Sequence, residues 1–328
     1  LVTDDQYAAI LSLYSVIGIM TSLFGLVTNA INFKIFAVMG TKDGITVSFL
    51  FLSSAEFVCF WAALGQELSI VCGVTEILSK HKISLYNYPT AFGIYFGSIR
   101  TCLFTIPVLI TLYLSVAKCV CVVRPLHFKN MFSVRTTVII MSGICVCAVL
   151  SYLPIFCTTG IMWVHDKKTN ASRIAMATSP YRDIIKNVVW TARDSVPSIA
   201  SQVIVIVCIY LMIGSLRKAA RFRGLSSSGT VLEPSKNSTH KNNEHEKARL
   251  GGAEVQVIKQ VVVISVVYIV GNTPKIAIIL ASSVVPDLNL GHRFQNLYIV
   301  LTNTRELIEM IFSAVNIFIY YNYNSKFK

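Results

Sequence analysis

The sequence predicts an all-α fold, a seven-transmembrane helix bundle forming a single membrane domain over residues 1–328. Three observations carry that expectation. Hydrophobic residues make up 54% of the chain and charged residues only 14%, with a mean hydropathy of +0.63, too little charge to keep a soluble surface dispersed. About seven stretches reach the roughly 20 mainly apolar residues that a helix needs to cross a hydrocarbon core. Most lysines and arginines fall in one alternating set of inter-span segments, so a formal charge of +13 is better explained by membrane orientation than by a nucleic-acid-binding face.

In order, the apolar stretches lie near residues 9–38, 45–71, 89–117, 134–162, 195–216, 255–284 and 295–322. Lys34 and Lys42, the run from Lys118 to Arg135, the run from Arg217 to Lys259, and Lys326 with Lys328 alternate with segments poor in positive charge. The positive-inside rule makes these basic segments cytoplasmic and puts the N-terminus, with Asp4 and Asp5, outside the plasma membrane. Asn170-Ala171-Ser172 then falls in an outside loop as a glycosylation signal, whereas Asn237-Ser238-Thr239 lies in the basic inside segment and reads as chance. Residues 217–253, rich in Ser, Asn and Lys, read as a disordered intracellular linker. The nine cysteines lie almost all within spans and have no metal-ligand spacing, so they read as packing residues; Cys119 and Cys121 are secondary candidates for palmitoylation. Cys72 and Cys157, at the outer ends of spans two and four, could bridge, although spacing does not establish connectivity.

Ionisable groups inside spans are costly enough to be functional candidates by default. Glu56 is one. Toward the outer half stand Arg100 in span three, Lys275 in span six, and Glu306 and Glu309 in span seven. Glu306 and Glu309 share a helical face, as do Arg305 and Glu309 at four apart. Arg100 and Lys275 opposite Glu306 and Glu309 would suit a ligand bearing both charges, such as an amino-acid-like molecule or a short peptide. The plain alternative is that these residues only pair with one another across helices.

At the inner end of span three, "AKCVCVVRPL" resembles the Asp-Arg-Tyr segment of rhodopsin-like G-protein-coupled receptors, with Ala117, Lys118 and Cys119 at the three motif positions and Pro125-Leu126 at the loop Pro-Leu pair. Asn29 in "GLVTNAINFKIF" and Glu56 in "FLSSAEFVCF" fall at the family's span-one asparagine and span-two aspartate positions. In "YIVGNTPKI", Tyr268 and Pro274 take the aromatic and proline positions, and Asn272 stands where tryptophan is usual. In "NIFIYYNYNSKF", Asn316 and Tyr320 match Asn-Pro-x-x-Tyr with Ile317 in place of proline, and Phe327 fits the aromatic opening an eighth helix. The ordered set resembles divergent invertebrate, molluscan-type chemosensory receptors related to neuropeptide receptors.

The resemblance implies a receptor that binds an extracellular ligand and activates a heterotrimeric G protein by moving helix six. Lys118, Leu126 and Glu254 would form the coupling end. A Lys118–Glu254 pair would be a light latch, because exposed pairs contribute about 0–1 kcal/mol and Lys lacks the fork of Arg; a snorkelling lysine beside a solvated glutamate is the bland reading. Asn29, Glu56, Ser313 and Asn316 would form a sodium and water site, although Pro107 replaces a serine that usually helps; a protonated, hydrogen-bonded Glu56 is the other reading. The family's disulfide to the top of helix three is missing, since neither the second outside loop nor residues 88–100 contain cysteine.

Rival classes fare worse. A transporter or channel lined by the intramembrane charges predicts an inverted repeat, and none is visible. An opsin needs a Schiff-base lysine in the last span, and no lysine lies between Arg305 and Lys326. An insect-type chemoreceptor channel requires an inside N-terminus, against the charge bias. No nucleophile and base have recognisable spacing, so the chain is not expected to be an enzyme, and no cofactor is expected. Expected partners are the ligand, the G protein and the lipid bilayer.

Overall fold

The computed structural model describes residues 4–79, 88–123, 133–166, 171–228, 252–289 and 292–323. The chain is mostly helical: α1 (Asp4–Met39), α2 (Gly44–Leu78), α3 (Pro89–Val123), α4 (Val134–Cys157), a hairpin of β1 (Thr159–Asp166) and β2 (Ala171–Thr178), α5 (Arg182–Trp190), a π turn (Thr191–Ser195), α6 (Val196–Ser228), α7 (Gly252–Val284), α8 (Gln295–Ala314) and α9 (Asn316–Tyr323).

Six segments are long and apolar enough to cross a membrane: Ala9–Met39, Gly44–Glu76, Ala91–Cys121, Val134–Cys157, Ile184–Gly214 and Lys259–Val284. They fit a membrane-embedded, multi-pass protein. The seventh expected span is α8, long enough at 20 residues but carrying Arg305, Glu306 and Glu309, and it runs into α9 after Val315. Three other expectations change. The fourth span stops at Cys157, and residues expected to continue it form β1 instead, so the fold is helical with one antiparallel hairpin. The apolar helix expected from residue 195 already begins at Ile184. The linker expected over 217–253 is helical at both ends, since α6 runs to Ser228 and α7 starts at Gly252; the linker between them lies outside the described residues, as do Leu126 and Asn170.

The helix surfaces invert the pattern of a soluble protein. On α1, Ser15, Ser22, Asn29 and Asn32 are buried, whereas Leu13, Met20, Phe24, Val27 and Ile31 are exposed. Ser15, Ser22 and Asn29 are seven apart, two helical turns, so they form one inward stripe; lipid tails accept the apolar face, and small residues let helices approach. Gly25 and Gly65 mark the two tightest approaches. A Cβ at Gly25 would sit 2.4 Å from the Phe60 ring of α2, and one at Gly65 would sit 2.7 Å from Phe96 of α3.

The helix ends follow local chemistry. Gly40 takes φ +83 after α1, the left-handed conformation that glycine adopts without a Cβ penalty. Asp43 accepts from the Thr46 amide at 2.8 Å at the start of α2, and Ser133 accepts from the Thr136 amide at 3.2 Å at the start of α4. At the end opposite the hairpin, Phe36 stacks on Phe49 with centroids 5.3 Å apart, and Tyr320 meets both edge-on, joining α1, α2 and α9. Ser115 of α3 and Ser265 of α7 hydrogen-bond at 2.7 Å.

The close approach at Gly25 generates a test. Gly25→Val is expected to destabilise the purified chain by roughly 1–3 kcal/mol through overpacking against Phe60, and Phe60→Ala in that background to restore part of the loss. Thermal unfolding midpoints in one lipid nanodisc composition would measure it; equal midpoints for wild type and Gly25→Val would remove the packing assignment.

Candidate functional site

Six charged residues from four elements converge at the hairpin end. Arg100 of α3 donates to the Glu306 carboxylate of α8 and, at 3.2 Å, to the Glu306 carbonyl. Arg305 Nη2 lies 3.1 Å from Glu306 Oε1, and Arg305 Nε lies 3.7 Å from Glu309 Oε1 one turn on. Lys275 Nζ of α7 lies 3.5 Å from Asp194 Oδ1 of the π turn. These residues, with Phe104, Trp190 and Tyr298, line a cavity of about 120 Å³.

The four expected ligand residues are therefore brought together, with one changed pairing. Arg100 faces Glu306 as expected, but Lys275 pairs with Asp194 rather than with a span-seven glutamate. The π turn is the cause. An i→i+5 turn closes on Thr191, the Val196 amide donating to its carbonyl, and re-registers the helix so that two consecutive residues both reach protein partners. Arg193 turns toward α3 and α4, donating to the Cys102 carbonyl at 2.6 Å and Thr105 at 2.8 Å and lying over the Tyr152 ring at 4.7 Å. Asp194 turns toward α7. Sequence reasoning passed over both; the available signal was an Arg-Asp pair inside an apolar run, where each charge needs a partner.

Deeper in the bundle, Asn316 donates to Glu56 Oε1 at 3.0 Å, and Ser313 lines the same space beside them. Three of the four residues expected at the sodium and water site thus meet. Asn29 does not join them through a direct hydrogen bond, because its amide donates to the Gly25 carbonyl of its own helix at 3.0 Å and its Oδ1 has no hydrogen-bond partner. Tyr268 hydrogen-bonds Ser201 at 2.7 Å, and Asn272 donates to Gln202 Oε1 at 3.0 Å, both linking α7 to α6. Pro274 sits inside α7, where it removes a backbone donor. Tyr320 is fully buried among the aromatics described above.

At the opposite end Lys118 is buried, between Ala117 and Cys119, which are buried too. Cys119 packs with Cys208, Met212 and Val261, which makes it a core residue rather than an accessible acylation site. The Glu254 side chain lies outside the described residues, so the pairing of Lys118 with Glu254 is open. Between α2, α3 and α4 at this end lies a cavity of about 270 Å³ lined by Ser48, Tyr113, Ala117 and Thr137 among others.

The hairpin is held over the bundle by charge. Arg173 of β2 donates to both oxygens of Glu76 on α2, at 2.6 and 2.7 Å, and to Asp166 of β1 at 3.1 Å. Its guanidinium lies 4.2 Å from the Tyr88 ring centre, and the Tyr88 amide donates to the Ile174 carbonyl at 3.0 Å. The Glu76 hydrogen bonds push the Arg173 pKa up from the usual arginine range, against the effect of burial, so its charge persists at every pH at which proteins are handled. Cys72 and Cys157 are both free thiols, as are the other seven cysteines. An ionic cluster thus does here what a covalent bridge would do, tying β2 to the ends of α2 and α3.

Removing Arg173 takes from the buried Glu76 and Asp166 carboxylates the guanidinium they share. Arg173→Ala is expected to lower the protection of β1 and β2 amides by about 2 kcal/mol of local opening free energy in hydrogen exchange, with α6 unaffected. A reductant should leave the same protection factors unchanged, and hairpin protection lost on reduction would show a covalent tie instead. No family model and no curated protein matches this chain.

Proposed function

We propose that the chain is a seven-helix, rhodopsin-like receptor of the plasma membrane, with α8 and α9 making the seventh crossing and the N-terminus outside. It takes a small charged molecule or a short peptide into the cavity beneath the hairpin. It passes that event to a heterotrimeric G protein by moving α7, and a chemosensory role fits the sequence resemblance. The observation that carries the reading is the cavity itself: three cations and three carboxylates, from α3, the π turn, α7 and α8, face one space at the hairpin end.

The charges line a void, and the Arg100–Glu306 and Lys275–Asp194 pairs each join two elements that a ligand could draw together or part. Lys275 follows Pro274 directly, so a ligand that competes for Asp194 pulls on α7 at its proline. α7 in turn meets α3 through Ser115 and Ser265 and meets α6 through Tyr268 and Asn272, which gives its displacement a route to the Lys118 end. The same intramembrane charges also suit a transporter path; α2, α3 and α7 are continuous helices, while the π turn before α6 and the break at Val315 between α8 and α9 are the interruptions such a path would use.

Three measurements test the reading. An epitope at the N-terminus should stain on intact cells; staining only after permeabilisation would reverse the orientation. Glu254→Ala at matched surface levels should raise ligand-free nucleotide exchange by up to about fivefold on one member of a G-protein panel, the effect of losing an ion pair that contributes about 1 kcal/mol. Background exchange from both chains on every member would count against coupling and direct attention to a flux assay. For whichever amino acid or peptide binds, affinity should fall about tenfold or more in Arg100→Ala, which leaves the half-buried Glu306 without its main partner. Affinity insensitive to Arg100→Ala and Glu309→Gln alike would remove the pocket assignment.

A further inference from the structure

We infer that the ligand site has an inner chamber that accepts the ammonium group of an organic cation with an apolar body, held between Glu309 and Glu56. The inference rests on the reading of the outer cavity as a ligand pocket and names the chemistry that would enter deepest.

A second cavity, of about 80 Å³, shares Phe104 and Glu309 with the outer one, so these two side chains form the partition between them. Glu56, Ser313 and Asn316 line its far side, and its walls are otherwise largely apolar, with Val267 and Phe312 among them. A third, smaller space also has Glu56 and Glu309 in its lining, with Arg100, already paired to Glu306, at its edge, placing both carboxyl groups around one region.

The hydrogen-bond account decides what this chamber lacks. Both acids are more than nine-tenths buried. One oxygen of Glu56 accepts from Asn316, while Oε2 has no hydrogen-bond partner. Glu309 Oε1 also has none, because Arg305 Nε stays 3.7 Å away, beyond hydrogen-bonding distance. The cations of the outer cavity are already engaged: Arg100 with Glu306, Arg305 with Glu306 and, less closely, with Glu309, and Lys275 with Asp194. What remains at the partition and below it is acceptor capacity on two buried carboxyl groups, in apolar surroundings.

A carboxylate entering the chamber would meet two buried acids and no uncommitted cation. An ammonium supplies three donors and one positive charge, enough to serve both acids at once. The apolar walls then favour an aliphatic or aromatic body over a hydrated inorganic ion, which would have to give up most of its water to enter. A zwitterion can use the two chambers together, its carboxylate left above with Arg100 and Lys275 and its ammonium below.

The test is direct binding to the purified full chain in nanodiscs, which does not depend on G-protein coupling. Phenethylammonium, phenethyl alcohol, phenylalanine and sodium are titrated separately against a potassium background, reading the thermal unfolding midpoint. Phenethylammonium should raise the midpoint saturably and the alcohol should not. Glu56→Gln and Glu309→Gln should each raise its half-saturating concentration by about tenfold or more, the loss expected for one charge-assisted hydrogen bond. Glu67→Gln, which removes a carboxylate between α1 and α8 outside the chamber, should leave it unchanged. Should one of the first two variants fail to fold, judged by its unliganded midpoint, the other together with Ser313→Ala carries the comparison.

Equal shifts with the alcohol would overturn the inference, as would an unchanged half-saturation in both acid variants. Sodium alone producing the whole shift, with phenethylammonium adding nothing, would also overturn it and leave an inorganic cation site. A phenylalanine shift that depends on Arg100, with none from phenethylammonium, would sink the inner chamber and leave the outer pocket standing. No shift from any organic probe would take the pocket reading down with it.

Discussion

A guanidinium inside an apolar bundle has to be neutralised where it stands, and the hairpin half of this protein is arranged around that requirement at Arg100. An unpaired charge in a medium of low dielectric constant costs several kcal/mol, about the whole stability of a small domain. Glu306 meets Arg100 with both its side chain and its backbone carbonyl, fixing α8 against α3. Once α8 is placed there, Arg305 and Glu309 of the same helix are carried into the interior and must be accommodated too. Lys275 then needs an anion of its own, and the π turn supplies Asp194.

Neutralisation of this kind binds helices to each other less uniformly than apolar packing does. Ion pairs are directional, and each leaves some donors or acceptors over, so the spaces between them stay polar and open. In this bundle the leftovers include two carboxylate oxygens, Glu56 Oε2 and Glu309 Oε1, where Glu309 separates the outer cavity from the region of Glu56, and guanidinium nitrogens of Arg193 and Arg305. The opposite end is built differently. There Phe36, Phe49 and Tyr320 close α1, α2 and α9 with aromatic contacts, and Cys119, Cys208, Met212 and Val261 fill the space among α3, α6 and α7.

The hairpin shows the same economy of means. Arg173 holds Glu76, Asp166 and the face of Tyr88, so that a strand from one connection reaches the ends of two helices. A disulfide would fix this arrangement irrespective of conformation in the rest of the bundle. An ion cluster holds only while α2 and α3 keep their spacing, so the cover over the cavity is coupled to the helices beneath it.

The apolar helices were legible in the sequence because the physical demand is local: a run of roughly 20 apolar residues declares a crossing whatever its neighbours do. The sequence counted residues 295–322 as a crossing by the same test, but Arg305, Glu306 and Glu309 keep α8 out of the six segments apolar enough to cross. The gathering of Arg100, Lys275, Glu306 and Glu309 was also legible, as charges that hydrocarbon would not tolerate singly. Which charge meets which was not. Pairing depends on helix rotation and offset, and the rotation of α6 is set by a π turn that leaves no mark in the periodicity of an apolar run. Only the tertiary structure therefore assigned Asp194 to Lys275, turned Arg193 toward α3, made the outer connection a hairpin clamped by Arg173, and kept Asn29 from hydrogen-bonding Glu56. Composition decides that charges must be paired in a bilayer; three-dimensional packing decides the partners, because opposite charges far apart in the chain become neighbours only after the helices have docked.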